Sequence, residues 1–242
     1  MVPLHKRSAT QDSASGNTQF FSGESFKRLQ EIMYEYKVPV GSHLFWENDP
    51  ADKLYFLRKG RVKFTKSTDE GKEFVLYLYQ DGDFFGQIDP FQDSRHSFNA
   101  EALEECFIGV VQKADLEILL WQHGDLAIEF MKWMGFMHRL TQTKFRDLMM
   151  YGKPGALCST LIRFANSYGE PVPDGIRIAK RLTNAELADM VSATRESVNR
   201  LLGDLKKEGV ISFDSGYLIV KNIEVLRDIC HCEACPTEIC RI

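Results

Sequence analysis

The residues with the most chemistry in this 242-residue chain crowd its last thirteen positions. They read Cys230-His231-Cys232-Glu233-Ala234-Cys235-Pro236-Thr237-Glu238-Ile239-Cys240. Four of the six cysteines fall here, while Cys106 and Cys158 stand alone. Thiolates select zinc, copper(I) or iron–sulfur clusters. The spacing therefore admits a cluster, a structural zinc on all four thiols, or a thiol switch that closes into disulfides. His231 reads as a bystander. Cys106 in a strand and Cys158 on an apolar helix read as buried hydrophobes.

Something must hold that tail. An unbroken stretch from Asp125 to Tyr151 predicts a helix, stopped by Gly152 and Pro154. It would span about 40 Å at 1.5 Å per residue. From Phe130 to Leu140 it is apolar on almost every face, so it is buried on more than one side. The expected dimer seam is Phe130, Trp133, Met134, Met137 and Leu140, packed on a second copy of the chain. Asp147 follows Leu140 by seven residues and Trp133 by fourteen, near the same face. A carboxylate there needs an explanation.

A second constellation lies between Thr183 and Lys207. Thr183-Asn184-Ala185-Glu186 is a capping box that opens a helix. After Ser192-Ala193-Thr194, a second helix carries Val198, Leu201, Leu202 and Leu205 on one stripe. Two short helices joined by a tight turn make a helix-turn-helix. The runs Val210 to Phe213 and Tyr217 to Val220, around Asp214-Ser215-Gly216, predict a β-hairpin wing. The solvent face of the second helix presents Arg195, Glu196, Asn199 and Arg200, side chains able to read base edges. Residues 153–221 hold ten Lys/Arg against eight Asp/Glu, a balance of +2. Phosphate contacts would come from placed residues such as Lys180, Arg181 and Lys206.

The rest of the chain supports these two sites. Residues 1–20, rich in Ser, Thr, Gln and Asn, predict a flexible arm. Ser22 to Tyr36 has helical spacing. From Val38 to Asp115, short aromatic runs alternate with Gly- and Asp-bearing turns, which predicts an all-β sandwich or barrel. Ala156 to Tyr168 reads as a helix and Gly169 to Gly175 as a loop, with one short strand at Ile176 to Ile178. The net charge of −4 excludes a basic nucleic-acid coat. No apolar run reaches the roughly 18 residues of a membrane span, and no signal peptide is read. A cytoplasmic protein is expected. No nucleophile–base pair, phosphate-cradling glycine loop or paired carboxylates speak for an enzyme.

A β-barrel, a long helix and a C-terminal winged helix in this order resemble the Crp/Fnr superfamily of transcription regulators. Gly82-Asp83-Phe84-Phe85-Gly86 is similar to that family's barrel signature, and Thr194 to Arg200 to its recognition helix. Where nucleotide-binding members carry a Gly-Glu pair, Gly86 is followed by Gln87, and Arg95-His96-Ser97 lacks their adjacent Arg-Ser. No cyclic nucleotide is expected. Cys232-x2-Cys235-x4-Cys240 resembles the cluster motif of the Bacillus-type Fnr branch, as do residues 130–134, 159–163 and 195–203. That resemblance implies a 4Fe-4S cluster on Cys232, Cys235 and Cys240 with Asp147 as fourth ligand. Cys230 is a departure and stands as the possible alternative ligand.

The expected fold class is α+β: a cyclic-nucleotide-binding-like jelly-roll domain over 21–124, a dimerisation helix over 125–152, a winged helix-turn-helix over 153–222 and a cysteine-rich tail over 223–242. The resemblance implies a homodimer on palindromic double-stranded DNA, partnering RNA polymerase and sensing oxygen through the cluster. The alternatives are a zinc or thiol-switch tail, or gating by a small molecule or by haem through His96 or His138.

Overall fold

The computed structural model describes the backbone of residues 2–3 and residues 16–88 and 93–242 in full. The chain divides into two compact units. Met1–Lys66 and Leu76–Phe136 form one, Ser67–Val75 and Met137–Ile242 the other.

In the first unit, Ser22 caps a helix α1 (Gly23–Glu31), its hydroxyl accepting from the Ser25 amide at 3.2 Å. Among the described residues, nine strands follow the chain in two antiparallel sheets: β1 (Val2–Pro3), β2 (Tyr34–Val38), β3 (His43–Phe45), β4 (Lys53–Lys59), β5 (Val62–Ser67), β6 (Glu73–Tyr79), β7 (Asp83–Phe85), β8 (Asn99–Ala102) and β9 (Cys106–Gln112). One sheet runs β1-β2-β9-β4-β7 and the other β3-β8-β5-β6. Leu54, Phe56, Phe84, Phe85 and Ile108 are fully buried, with Phe26 of α1; the neighbours Phe84 and Phe85 point to opposite faces of β7, one toward Phe21 and Trp133 and the other toward Tyr55 and Tyr79. The β4–β5 turn needs Gly60: its φ is 114°, and a Cβ there would meet Cys106 Sγ at 2.6 Å. Two expectations change. The helix expected to Tyr36 stops at Glu31 and the chain turns into β2. The arm's last residues are anchored: Asn17 and Thr18 are buried, and the Asn17 amide donates to Asp83 Oδ1 at 2.7 Å. Residues 4–15, the bulk of that arm, lie outside those described.

Helix α2 (Lys113–Gln122) leads into α3 (Gly124–Met150), 27 residues long. Phe130, Trp133 and Leu140 are each 5% exposed. Phe130 packs near Phe21, Trp133 lies edge-on to Phe84 at 6.0 Å, and Trp133 Nε1 donates to Asn17 Oδ1 at 3.2 Å. These residues face their own chain, which corrects their place in the expected seam. Of the five, Met134 is exposed and Met137 half-buried. The face left open is another: Ile128, Met131, Gly135, His138, Gln142, Phe145 and Met149 are all exposed and recur every three or four residues. That is the spacing of a coiled-coil seam.

In the second unit, Tyr151 and Gly152 (φ 59°) break the path between α3 and α4 (Gly152–Tyr168), with Pro154 in the first turn of α4. Strands β10 (Gly169–Val172), β11 (Gly175–Ile178), β12 (Ile211–Asp214) and β13 (Tyr217–Val220) make a sheet ordered β10-β11-β13-β12. The expected loop at Gly169 is thus an edge strand. Helices α5 (Asn184–Met190) and α6 (Arg195–Lys207) pack together, and a last helix, α7 (Ile223–Ile229), capped by Asn222, packs on α4.

Candidate functional site

The tail begins where α7 ends. His231 and Ala234 have φ of 46° and 50°, left-handed values that non-glycine residues seldom adopt. They fold the chain back so that it docks rather than trails. Ile239 and Ile242 are buried, Asn166 Nδ2 donates to the Cys240 carbonyl at 2.7 Å, and the Ile242 amide donates to Ser167 Oγ at 3.1 Å. Cys230, Cys232, Cys235 and Cys240 thereby line one cavity of about 20 Å³. Arg146 of α3 and Ser159 and Arg163 of α4 line it too. Burial pushes the Cys230 thiol up to about 11, against the pull of Arg146 and Arg163. Cys240 is raised by burial too, opposed by Arg163. These two thiols are therefore protonated at neutral pH, and ligation would release protons. The isolated Cys106 and Cys158 are buried, as expected.

Asp147 is 1% exposed and does not line the cavity. Its Oδ1 accepts from Arg146 Nη2 at 2.7 Å and Nε at 3.1 Å. Its Oδ2 accepts from Ser159 Oγ at 2.5 Å and Arg163 Nη2 at 2.6 Å. Arg163 Nη1 donates to Ser159 Oγ at 2.7 Å. Arg146 Nη1 reaches Glu233 in the tail at 2.6 Å. Sequence reasoning found the carboxylate and not its partners. The available signal was Arg163 on an otherwise apolar helix face, one turn from Ser159.

The donor set suits a thiolate-bound group: four thiols share one cavity beside two guanidiniums that would offset anionic charge. Among the described residues, no three His, Cys, Asp or Glu side chains converge closely enough to hold a metal ion. The thiols share one cavity but are not closed around a centre.

The second site is assembled on α6. Thr183 and Glu186 form the reciprocal capping box at α5. Val191 and Ala193 amides close on the Ala188 carbonyl, and Thr194 caps α6 through the Ser197 amide at 3.2 Å. Val198, Leu202 and Leu205 are buried, so Arg195, Glu196, Asn199 and Arg200 all face solvent. Asn199 Oδ1 accepts from Asn184 Nδ2 at 3.1 Å. Beside the helix, Arg181 lies over the Tyr217 ring and donates to the Ser215 carbonyl at 3.4 Å in the wing turn. Lys206 lies 6.0 Å from the Phe213 ring. Lys180 sits over Phe164 and Tyr168 of α4 and is half-buried. In the other unit, the His96 ring stacks on Phe45 at 3.5 Å, with both nitrogens unpartnered among the described residues. Gln87 Oε1 accepts from the Ser97 amide at 3.0 Å.

Comparison with known proteins agrees with this architecture. Residues 35–123 match a cyclic nucleotide-binding domain and 155–229 a Crp-like helix-turn-helix domain. The second match takes in α7, which the sequence reading had assigned to the tail. The chain is 42% identical over 228 residues to the anaerobic regulatory protein of Bacillus subtilis, covering 93% of this chain and 96% of that one. The chain belongs to the Crp/Fnr superfamily of transcription regulators. Other superfamily relatives include a global nitrogen regulator of Synechocystis, 31% identical over 74% of this chain and 80% of its own. The solved structure of a CooA mutant from Carboxydothermus hydrogenoformans shares the fold, with a TM-score of 0.72 at 23% identity, covering 83% of this chain and 89% of its own. Crp/Fnr regulators bind DNA and act as dimers, and they are not enzymes. No described helix is long and apolar enough to cross a membrane.

Proposed function

We propose that this Crp/Fnr regulator controls anaerobic gene expression in response to oxygen through a 4Fe-4S cluster held by the tail. The observation that carries the reading is the convergence of all four tail thiols on one cavity against α3 and α4. The 42% identical relative named an anaerobic regulatory protein points the same way. Cys232, Cys235 and Cys240 would hold the cluster, with Asp147 as fourth ligand and Cys230 as its alternative. When bound, the cluster supplies an oxygen-labile link between the tail and the dimer helix. The protein's own side chains do the rest. Ile239 and Ile242 seat the tail on its unit, and α3 joins two copies along the stripe from Ile128 to Met149. The two α6 helices, set about 34 Å apart, would read a palindrome through Arg195, Glu196, Asn199 and Arg200. RNA polymerase is the expected partner at the promoter. No cyclic nucleotide enters this reading, because Gln87 and a neutral His96 offer no charge to a buried cyclic phosphate.

The test is iron and sulfide analysis with a visible spectrum on anaerobically purified protein. A brown protein with about four irons per chain, bleached by air, is expected from the ligand count of a thiolate-held cluster. A colourless anaerobic protein with one zinc per chain overturns it.

A further inference from the structure

We propose that Arg163 and Ser159 form a latch that holds Asp147 in the cluster-free protein and releases it when the carboxylate is called to iron. The inference rests on the iron–sulfur reading above and adds a competing partner for its fourth ligand. The geometry points to competition directly. A carboxylate has about four acceptor positions. All four are taken: two by Arg146 on Oδ1, one each by Ser159 and Arg163 on Oδ2. The three side chains that take them are on the cavity wall, and Asp147 is not. No oxygen of Asp147 can accept a metal bond while keeping its present partners. One oxygen must be stripped.

Oδ2 is the one held by a relay. Arg163 Nη1 fixes the Ser159 hydroxyl, which in turn donates to Asp147, while Nη2 bonds Asp147 itself. Arg163 is 5% exposed, and its Nε has no partner among the described residues. A buried guanidinium that gives up a carboxylate must find another anion. The thiols of the same cavity, each giving up its proton to solvent on binding iron, would supply that anion. Asp147 would leave the guanidinium for iron, and the thiolate-held cluster would replace it beside Arg163. No bond to carbon is made or broken and no electron moves. Loss of the cluster reverses the exchange, so the latch favours the released state. Arg163 and Ser159 are positioning residues, since they act through Asp147.

Two variants weaken the latch without removing its charge: Ser159→Ala deletes one donor, and Arg163→Lys replaces the fork with a single ammonium. Wild type and both variants are loaded anaerobically with equal amounts of ferrous and ferric iron and with sulfide, then titrated with an iron chelator while the visible absorption is followed. Heat unfolding of the cluster-free forms is measured in parallel. The latch predicts that each variant unfolds at lower temperature without the cluster. It also predicts that each holds the cluster against on the order of tenfold more chelator, the equivalent of one lost charge-assisted hydrogen bond. A merely structural role would weaken both forms, leaving the chelator midpoint unchanged or lower, and that result overturns the latch. A wild-type chain that takes up no iron–sulfur chromophore overturns the cluster reading, and the latch falls with it. Chelator midpoints that match wild type in well-loaded variants overturn the latch alone.

Discussion

His96 makes the first unit sensitive to acid in a way that can be calculated. Its ring is 1% exposed, stacked on Phe45, and burial lowers its pKa from 6.5 to about 4, with Lys53 adding to and Asp49 and Asp52 opposing the effect. A histidine with a depressed folded pKa binds fewer protons folded than unfolded. Its contribution is intact above the unfolded value of 6.5 and is lost as pH falls through about 4. At about 1.36 kcal/mol per pKa unit, the full loss is about 3 kcal/mol, and about 2 kcal/mol of it has occurred by about pH 5. The perturbation is His96→Leu, which removes the titrating ring. Urea unfolding at pH 7.5 and at pH 5 would be followed by the fluorescence of Trp133, which is buried in the same unit. Wild type should lose about 2 kcal/mol more than the variant between those two conditions, the other titrating groups cancelling in the difference. Equal losses in the two proteins would show that His96 has a partner in the folded state and refute the reasoning.

Three further outcomes are expected. Met131→Glu, at an open position on α3 that is 64% exposed, should shift the protein toward monomers by sedimentation equilibrium while leaving each chain folded. Arg195→Ala should cost roughly 1–3 kcal/mol of operator binding and relax preference at one base position, measured by competition against single-base variants. Asp147→Asn leaves Arg163 buried without its anion, and the cluster-free form should lose roughly 3–5 kcal/mol by chemical denaturation.

What was legible in the sequence was local. The Thr183–Glu186 capping box and the wing turn at Ser215-Gly216 depend on residues a few positions apart and stand where they were read, while the long helix, read to Tyr151, ends at Met150. The misreadings arose where the deciding partner is distant. Phe130 and Trp133 belong to the inner face of α3 because Phe21, Asn17 and Phe84 meet them there. An all-round apolar helix does not say which face its own chain covers. Glu31 ends α1 because Tyr34–Val38 pairs with β9, a partner some seventy residues on. The run from Gly169, expected as a loop, holds Pro171, which an edge strand tolerates. Asn222 caps the short helix α7 in the stretch expected to be tail, a seven-residue element too short to show a clear periodic stripe. Asp147 stood out as a misplaced carboxylate, yet Arg163 is sixteen residues away on another helix, beyond any periodic pattern.

The two faces of α3 also constrain how the chain can change length. Trp133, Leu140 and Asp147 recur every seven residues on the inner face, while Met131, His138 and Phe145 do the same on the outer one. One inserted residue turns everything downstream by about 100° and moves it about 1.5 Å. An insertion between Trp133 and Leu140 would carry Asp147, Ser159 and Arg163 along together, but it would put the halves of the inner and the outer stripe out of phase. Only whole heptads, which drift by about 20°, keep both faces in step. This segment should therefore tolerate exchanges of side chain far more readily than gains or losses of single residues.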